Sequence, residues 1–236
     1  QEPLRTVARA AQALAEPTAR SPAPPAAQAP PPDSARWLRT ILDGVQRMQR
    51  LIDDLLAYSR AGRVELQTES VDLGAVVREV LLGLEAAIRE AGATIEVGPL
   101  PTVQGHHTLL VQLFQNLLSN AIKFRGTAAA RVRVFASAAP GGWRVTVADE
   151  GIGIDPKYFD RIFNVFERLH PRDEYPGTGV GLAICKTIVE RHGGTIHVES
   201  EPGRGARFHI DFPHAAPPAD AAIASGAPPS PPLGRR

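Results

Sequence analysis

The sequence predicts an α+β fold: a two-layer α/β sandwich of three helices on a mixed, mostly antiparallel sheet, preceded by an α-helical hairpin. Three observations predict it. Before residue 62 the apolar residues recur at alternating steps of three and four; beyond it, short β-branched runs bounded by turn residues mark strands; and three amphipathic segments lie among those runs.

In the first part, Leu38, Ile41, Val45, Met48, Ile52 and Leu55 form the seam of a helix packed in a bundle or coiled coil. Asp33 or Ser34 provides an N-cap and Gly62 a stop. Leu4, Val7, Ala11 and Leu14 repeat the spacing in a shorter helix, and the proline-rich residues 17–32 separate the two. The result reads as a helical hairpin whose exposed seam implies dimerisation into a four-helix bundle. The second helix would be roughly 42 Å long and the first only roughly 24 Å. The first therefore looks cut at its start, and a chain that begins at Gln1 is expected to be a fragment.

Strands are expected at Val64–Thr68, Thr94–Val97, Arg131–Ala136, Trp143–Ala148, Thr195–Ser200 and Ala206–Phe212, the last two joined by the turn 201–205. Helices are expected at 72–91, 107–125 and 179–192. The predicted organisation is a partial dimerisation hairpin over 1–62, an α/β domain over 63–213 and a disordered Pro/Ala-rich tail over 214–236.

Composition narrows the function classes. An apolar content of 43% suits a globular core, and a net charge of +1 with no long run of one sign gives no reason to expect a nucleic-acid or membrane-surface partner. The single cysteine, Cys185, excludes an intramolecular disulfide and a multi-cysteine metal cluster, so a reducing compartment, the cytoplasm, is the default. No run reaches the roughly 18 apolar residues of a membrane span.

Three motifs could carry chemistry. On the helix 107–125, Gln112, Asn116, Asn120 and Lys123 form one polar stripe opposite Leu110, Leu113, Leu117 and Leu118. Alone, the stripe reads first as a solvated face; its functional reading is a site for Mg²⁺ and phosphate, because Asn carbonyls suit a hard cation and Lys neutralises phosphate. The run Asp149-Glu150-Gly151-Ile152-Gly153-Ile154 puts a carboxylate at a strand end before two glycines, which is also a common loop composition. The run Gly177-Thr178-Gly179-Val180-Gly181-Leu182 opens into an apolar helix, as an anion-binding segment or a plain linker would. Its spacing is neither the dinucleotide-binding G-x-G-x-x-G nor a P-loop.

Together, in this order, the motifs resemble the sensor histidine kinase family, especially its phytochrome-like branch. The resemblance rests on NLLSNAIKF (Asn116–Phe124, the N-box), DEGIGI (Asp149–Ile154, the G1 box), YFDRIFNVFERLH (Tyr158–His170, the F-box) and GTGVGLAI (Gly177–Ile184, the G2 box). It extends back through MQRLIDDLLAYSR (Met48–Arg60) and on through Arg191 to Pro213.

The resemblance implies a Mg-ATP site. Asp149 would accept a hydrogen bond from the adenine amino group, with Gly151 and Gly153 letting the backbone pass close to the base. Asn120 would ligate Mg²⁺ with Asn116 beside it, and Lys123 would contact the phosphates. Gly177, Thr178, Gly179, Val180, Gly181 and Leu182 would form the ATP lid and its hinge into the helix. Positioning and charge neutralisation are what phosphoryl transfer asks of a protein. The implied activity is phosphorylation of a histidine for transfer to a response-regulator aspartate, in a homodimer.

The family's acceptor histidine falls in a run resembling His-Asp-Leu-Gln-Glu-Pro-Leu-Arg, and here the chain starts at Gln1-Glu2-Pro3-Leu4-Arg5, so the acceptor is expected upstream. Of the histidines present, His106 and His107 stand where the family has a helix cap, His170 ends the F-box, His192 ends a helix, and His197, His209 and His214 belong to the terminal hairpin or its edge. Two other readings remain. The gyrase, MutL and HSP90 kind of ATPase would need a glutamate on the helix 107–125, which has none. A non-enzymatic nucleotide-binding regulatory module would need no acceptor.

Overall fold

The computed structural model describes residues 34–63, 67–171 and 174–214. The first helix of the expected hairpin, the proline-rich stretch and the C-terminal tail lie outside these residues.

The chain enters through α1 (Ser34–Arg63), which runs past Gly62 instead of stopping there. Gly costs a helix about 1 kcal/mol, and two features offset that cost. Ala57, Tyr58 and Ala61 pack on the core, and Arg191 donates to the Ala61 carbonyl at 2.6 Å. Further up the same helix Ile41, Met48 and Leu55, seven residues apart, remain about half exposed.

Next come β1 (Glu69–Asp72), α2 (Leu73–Gly83), α3 (Glu85–Ala91), β2 (Thr94–Val97) and β3 (Thr102–Gly105). Beyond them run α4 (His107–Lys123), β4 (Arg131–Ala139) and β5 (Gly142–Asp149), then a short 3₁₀ turn (Pro156–Tyr158), α5 (Gly181–Arg191), β6 (Thr195–Ser200) and β7 (Ala206–Pro213).

Two expectations change. The strand expected at Val64–Thr68 is displaced: residues 64–66 lie outside the described residues, and pairing begins at Glu69, antiparallel to β3 with Val71 opposite Val103. Periodicity could not show either strand, because in each run of four only one or two residues are buried. The helix expected over 72–91 is two helices. Asp72 caps the first, accepting from the Gly74 amide at 2.8 Å, and the break follows Gly83, at Leu84. The second buries no residue and ends at Gly92 in the left-handed conformation.

The main sheet has the order β2-β4-β5-β7-β6, with β2 parallel to β4 and every other pair antiparallel. One face meets the helices. Leu110, Leu113, Phe114, Leu117 and Leu118 of α4 and Ile184, Ile188 and Val189 of α5 bury against Val132, Val134, Val145, Val147, Phe208 and Ile210. Each such side chain contributes roughly 1.5–3 kcal/mol by leaving water. Because side chains alternate across a strand, Thr146, His209 and Asp211 point from the other face. Among the described residues no helix is long and apolar enough to cross a membrane.

Candidate functional site

A cavity of about 320 Å³ opens between α4, the loop after β5, the segment leading into α5, and β7. Asn116, Asn120 and Lys123 line it together with Ser119, while the leucines on the opposite side of α4 are buried. Gln112 does not reach the cavity. The Lys123 ammonium lies 4.2 Å from the Phe124 ring centroid. Burial, and secondarily the Arg168 guanidinium, lower its pKa to about 8. It is still mostly charged at neutral pH, but short of solvent, so an anion beside it is favoured.

Asp149 ends β5 and faces the same cavity. Its Oδ1 accepts from the amides of Gly151 at 2.9 Å and Ala206 at 3.2 Å. Burial outweighs these two bonds and lifts the carboxyl to about 6. The loop beyond it is clamped from both sides. Ile152 donates to the Phe124 carbonyl at 2.9 Å, Gly203 to the Ile152 carbonyl at 2.7 Å, and Ile154 to Ser200 Oγ at 2.8 Å. Gly153 has φ +70°, and a Cβ there would lie 2.0 Å from the Glu201 carbonyl oxygen. Only glycine lets the loop touch the β6–β7 turn in this way.

Over the opening lie residues 167–171 and 174–182. Gly177, Thr178, Gly179, Gly181 and Leu182 line the cavity. Arg168 donates to the carbonyls of Gly177 and, at 2.8 Å, Tyr175. Phe166 donates to the Gly179 carbonyl at 3.0 Å. The rings of Phe124, His170 and Tyr175 cluster with centroids 4.9–6.1 Å apart. Thr178 also donates to the Asp54 carboxylate of α1, which ties the segment to the entering helix.

Two expected site residues do not line the cavity. Gly151 works in the turn, packed against the Phe124 carbonyl, and Val180 is fully buried in the core. Sequence reasoning missed Asp54, Ser119, Phe124, Arg168, Tyr175 and Phe208, which all line it. A pairing of β5 with β7 would have found Phe208, whereas nothing in the spacing points to Asp54. His106 sits at the N-cap of α4, where the cap reading places it, but makes no side-chain cap bond; its amide instead donates to His192 Nε2 at 3.0 Å. His192 Nδ1 donates in turn to the Ile188 carbonyl at 2.7 Å, so this ring is neutral and structural, with its pKa lowered mainly by burial.

Residues 105–216 match the profile of the Histidine kinase-, DNA gyrase B-, and HSP90-like ATPase family. The chain carries the catalytic ATPase domain of the sensor histidine kinase family. It is 44% identical over 181 residues to phytochrome-like protein Cph1 of Synechocystis, a match covering 77% of this chain and 24% of that protein. The chain thus spans about a quarter of the length of that curated relative. The crystal structure of full-length ShkA in complex with AMPPNP superposes with a TM-score of 0.64 at 29% identity, covering 95% of this chain and 49% of that one. The mycobacterial sensor histidine kinase MprB superposes with a TM-score of 0.54 at 30% identity, covering 62% of this chain and 97% of that one. ATP binding belongs to this family, and the cavity carries both a desolvated lysine, Lys123, and a buried carboxyl, Asp149, in its lining.

Proposed function

We propose that the chain is the phosphoryl-donating part of a protein-histidine kinase, using Mg-ATP to phosphorylate a histidine on a dimerisation helix for onward transfer to a response-regulator aspartate. One observation carries the reading: Asp149, a hydrogen-bonded carboxylate, and Lys123, a desolvated ammonium, line one cavity under a glycine-rich cover. An adenine amino group suits the first and a phosphate chain the second. The Asn120 and Asn116 carboxamides line the same cavity from α4, and their oxygens suit a hard cation. Asn120 would hold Mg²⁺, which when bound neutralises charge on the phosphates. Lys123 would orient the phosphates, and the segment 177–182 would close over them.

The exposed row Ile41, Met48 and Leu55 supports pairing of α1 with a second helix in a homodimer, since a seven-residue apolar repeat is what a helix bundle buries. The Asp54–Thr178 contact links that bundle helix to the cover of the nucleotide site. A hydrolytic ATPase is disfavoured because α4 has no glutamate to activate water.

Incubating the chain with labelled ATP and a separate helical hairpin that carries an acceptor histidine tests the proposal. Label is expected on that histidine, and Asn120→Asp is expected to abolish it while the chain stays folded. ATP binding without any transfer would leave a nucleotide-binding regulatory module in place of a kinase.

A further inference from the structure

On the sheet face turned away from the nucleotide cavity, Thr146, His209 and His197 form one rung across β5, β7 and β6, each opposite the next in register. The two imidazoles stack with centroids 4.9 Å apart. Glu199, two residues along β6, places its Oε2 3.4 Å from His209 Nε2. One ligand atom from each of His197, Glu199 and His209 can be chosen so that all three lie within 4.8 Å of one another. We propose that these three residues form a binding site for a borderline divalent cation of the Zn²⁺ class, distinct from the ATP site and its hard cation.

Two features point to a ligand and not to an ordinary surface ion pair. His209 is a polar residue only 9% exposed, and its Nε2 is buried with no hydrogen-bond partner among the described residues, although the Glu199 carboxylate is close. Its other nitrogen, Nδ1, lies 3.0 Å from Thr146 Oγ1. A proton on Nδ1 donated there leaves a lone pair on Nε2, which is how second-layer partners set the tautomer of metal-binding histidines.

The spacing suits the chemistry. Zn–N and Zn–O bonds of about 2.0–2.1 Å at tetrahedral angles put ligand atoms roughly 3.3 Å apart. Glu199 and His209 already stand at that separation, and Glu199, with a side chain 62% exposed, is free to adjust. Two cations share this face: Arg144, held by Asp211 through two hydrogen bonds of 2.7 and 2.9 Å, and Arg207, opposite Glu199 in register. Three protein ligands leave a fourth position for water. A bound cation would tie β6 to β7, the hairpin whose turn presses on Gly153 and whose Ala206 amide holds Asp149.

The test uses the chain without nucleotide or Mg²⁺, titrated with Zn²⁺ by calorimetry and with Co²⁺ by visible absorption. One equivalent is expected to bind saturably, with the intense d–d bands of a four-coordinate Co²⁺ and a thermal midpoint raised by several degrees. His197→Ala and Glu199→Gln are each expected to weaken binding tenfold or more. His107→Ala, which removes a different imidazole–carboxylate pair, that with Glu79, is expected to change nothing. His197 and Glu199 are not core residues, so circular dichroism should show both variants folded. No saturable binding at about 100 μM Zn²⁺, or an equivalent retained by both site variants, would overturn the proposal.

Discussion

The two halves of the nucleotide cavity are held by different means. Its floor, at Asp149–Ile154, is fixed by five backbone amides: those of Ile152 and Gly203 make backbone–backbone bonds, those of Gly151, Ile154 and Ala206 donate to the Asp149 and Ser200 side chains, and Gly153 meets the Glu201 carbonyl with no room for a methyl group. Its cover, 167–171 and 174–180, hangs chiefly on two side-chain contacts, the Arg168 fork and Thr178 with Asp54. A segment held by many interlocking bonds opens less readily than one held by a few tethers. On the proposed reading, the floor would fix where a base binds and the cover would be the part free to respond to phosphates.

Gly153→Ala should break the floor hardest. It combines a left-handed φ with overlap on a neighbouring backbone carbonyl, so a loss of about 3–5 kcal/mol is expected in urea unfolding. Tolerance of the alanine without a shift in midpoint would mean the loop is not clamped.

Asp149→Asn should act in the opposite direction. The folded carboxyl titrates near 6 against an ordinary 3.8, so the native state holds its proton more tightly than the unfolded chain. Stability falls as pH rises through that interval, and the penalty is fully present above it. In the nucleotide-free chain the asparagine is expected to add up to about 3 kcal/mol at pH 7.5 and nothing near pH 3.5, while nucleotide affinity drops. Equal stability of the two proteins at pH 7.5 would show that burial of the charge costs little.

Arg168→Ala should be the mildest and touch only the cover. Unfolding midpoints are expected to stay within about 0.5 kcal/mol, whereas ATP should dissociate roughly tenfold faster in stopped flow. A large loss of stability would place Arg168 in the scaffold instead.

This contrast also explains what could be read from sequence. The α4 stripe was legible because Leu110, Leu113, Leu117 and Leu118 repeat with helical spacing and leave Asn116, Asn120 and Lys123 on the far side. Asp149 was legible as a carboxylate at the end of an apolar strand. Arg168 and Tyr175 were not, because their contacts are with carbonyls and rings, which impose no residue pattern. Asp54 joins the site only through the packing of α1 on α5, and the role of Ala206 only through the register of β7 on β5. The His197–His209 rung was equally hidden, as a pairing across the terminal hairpin.

Hydrogen–deuterium exchange with and without Mg²⁺ and a non-hydrolysable ATP analogue tests the division of labour most directly. Amides of the floor, 150–154 and 206, are expected to be protected in both states, and amides of 175–182 to gain protection only when nucleotide is bound. Equal protection of the cover in both states, or a floor that becomes ordered only on binding, would contradict it.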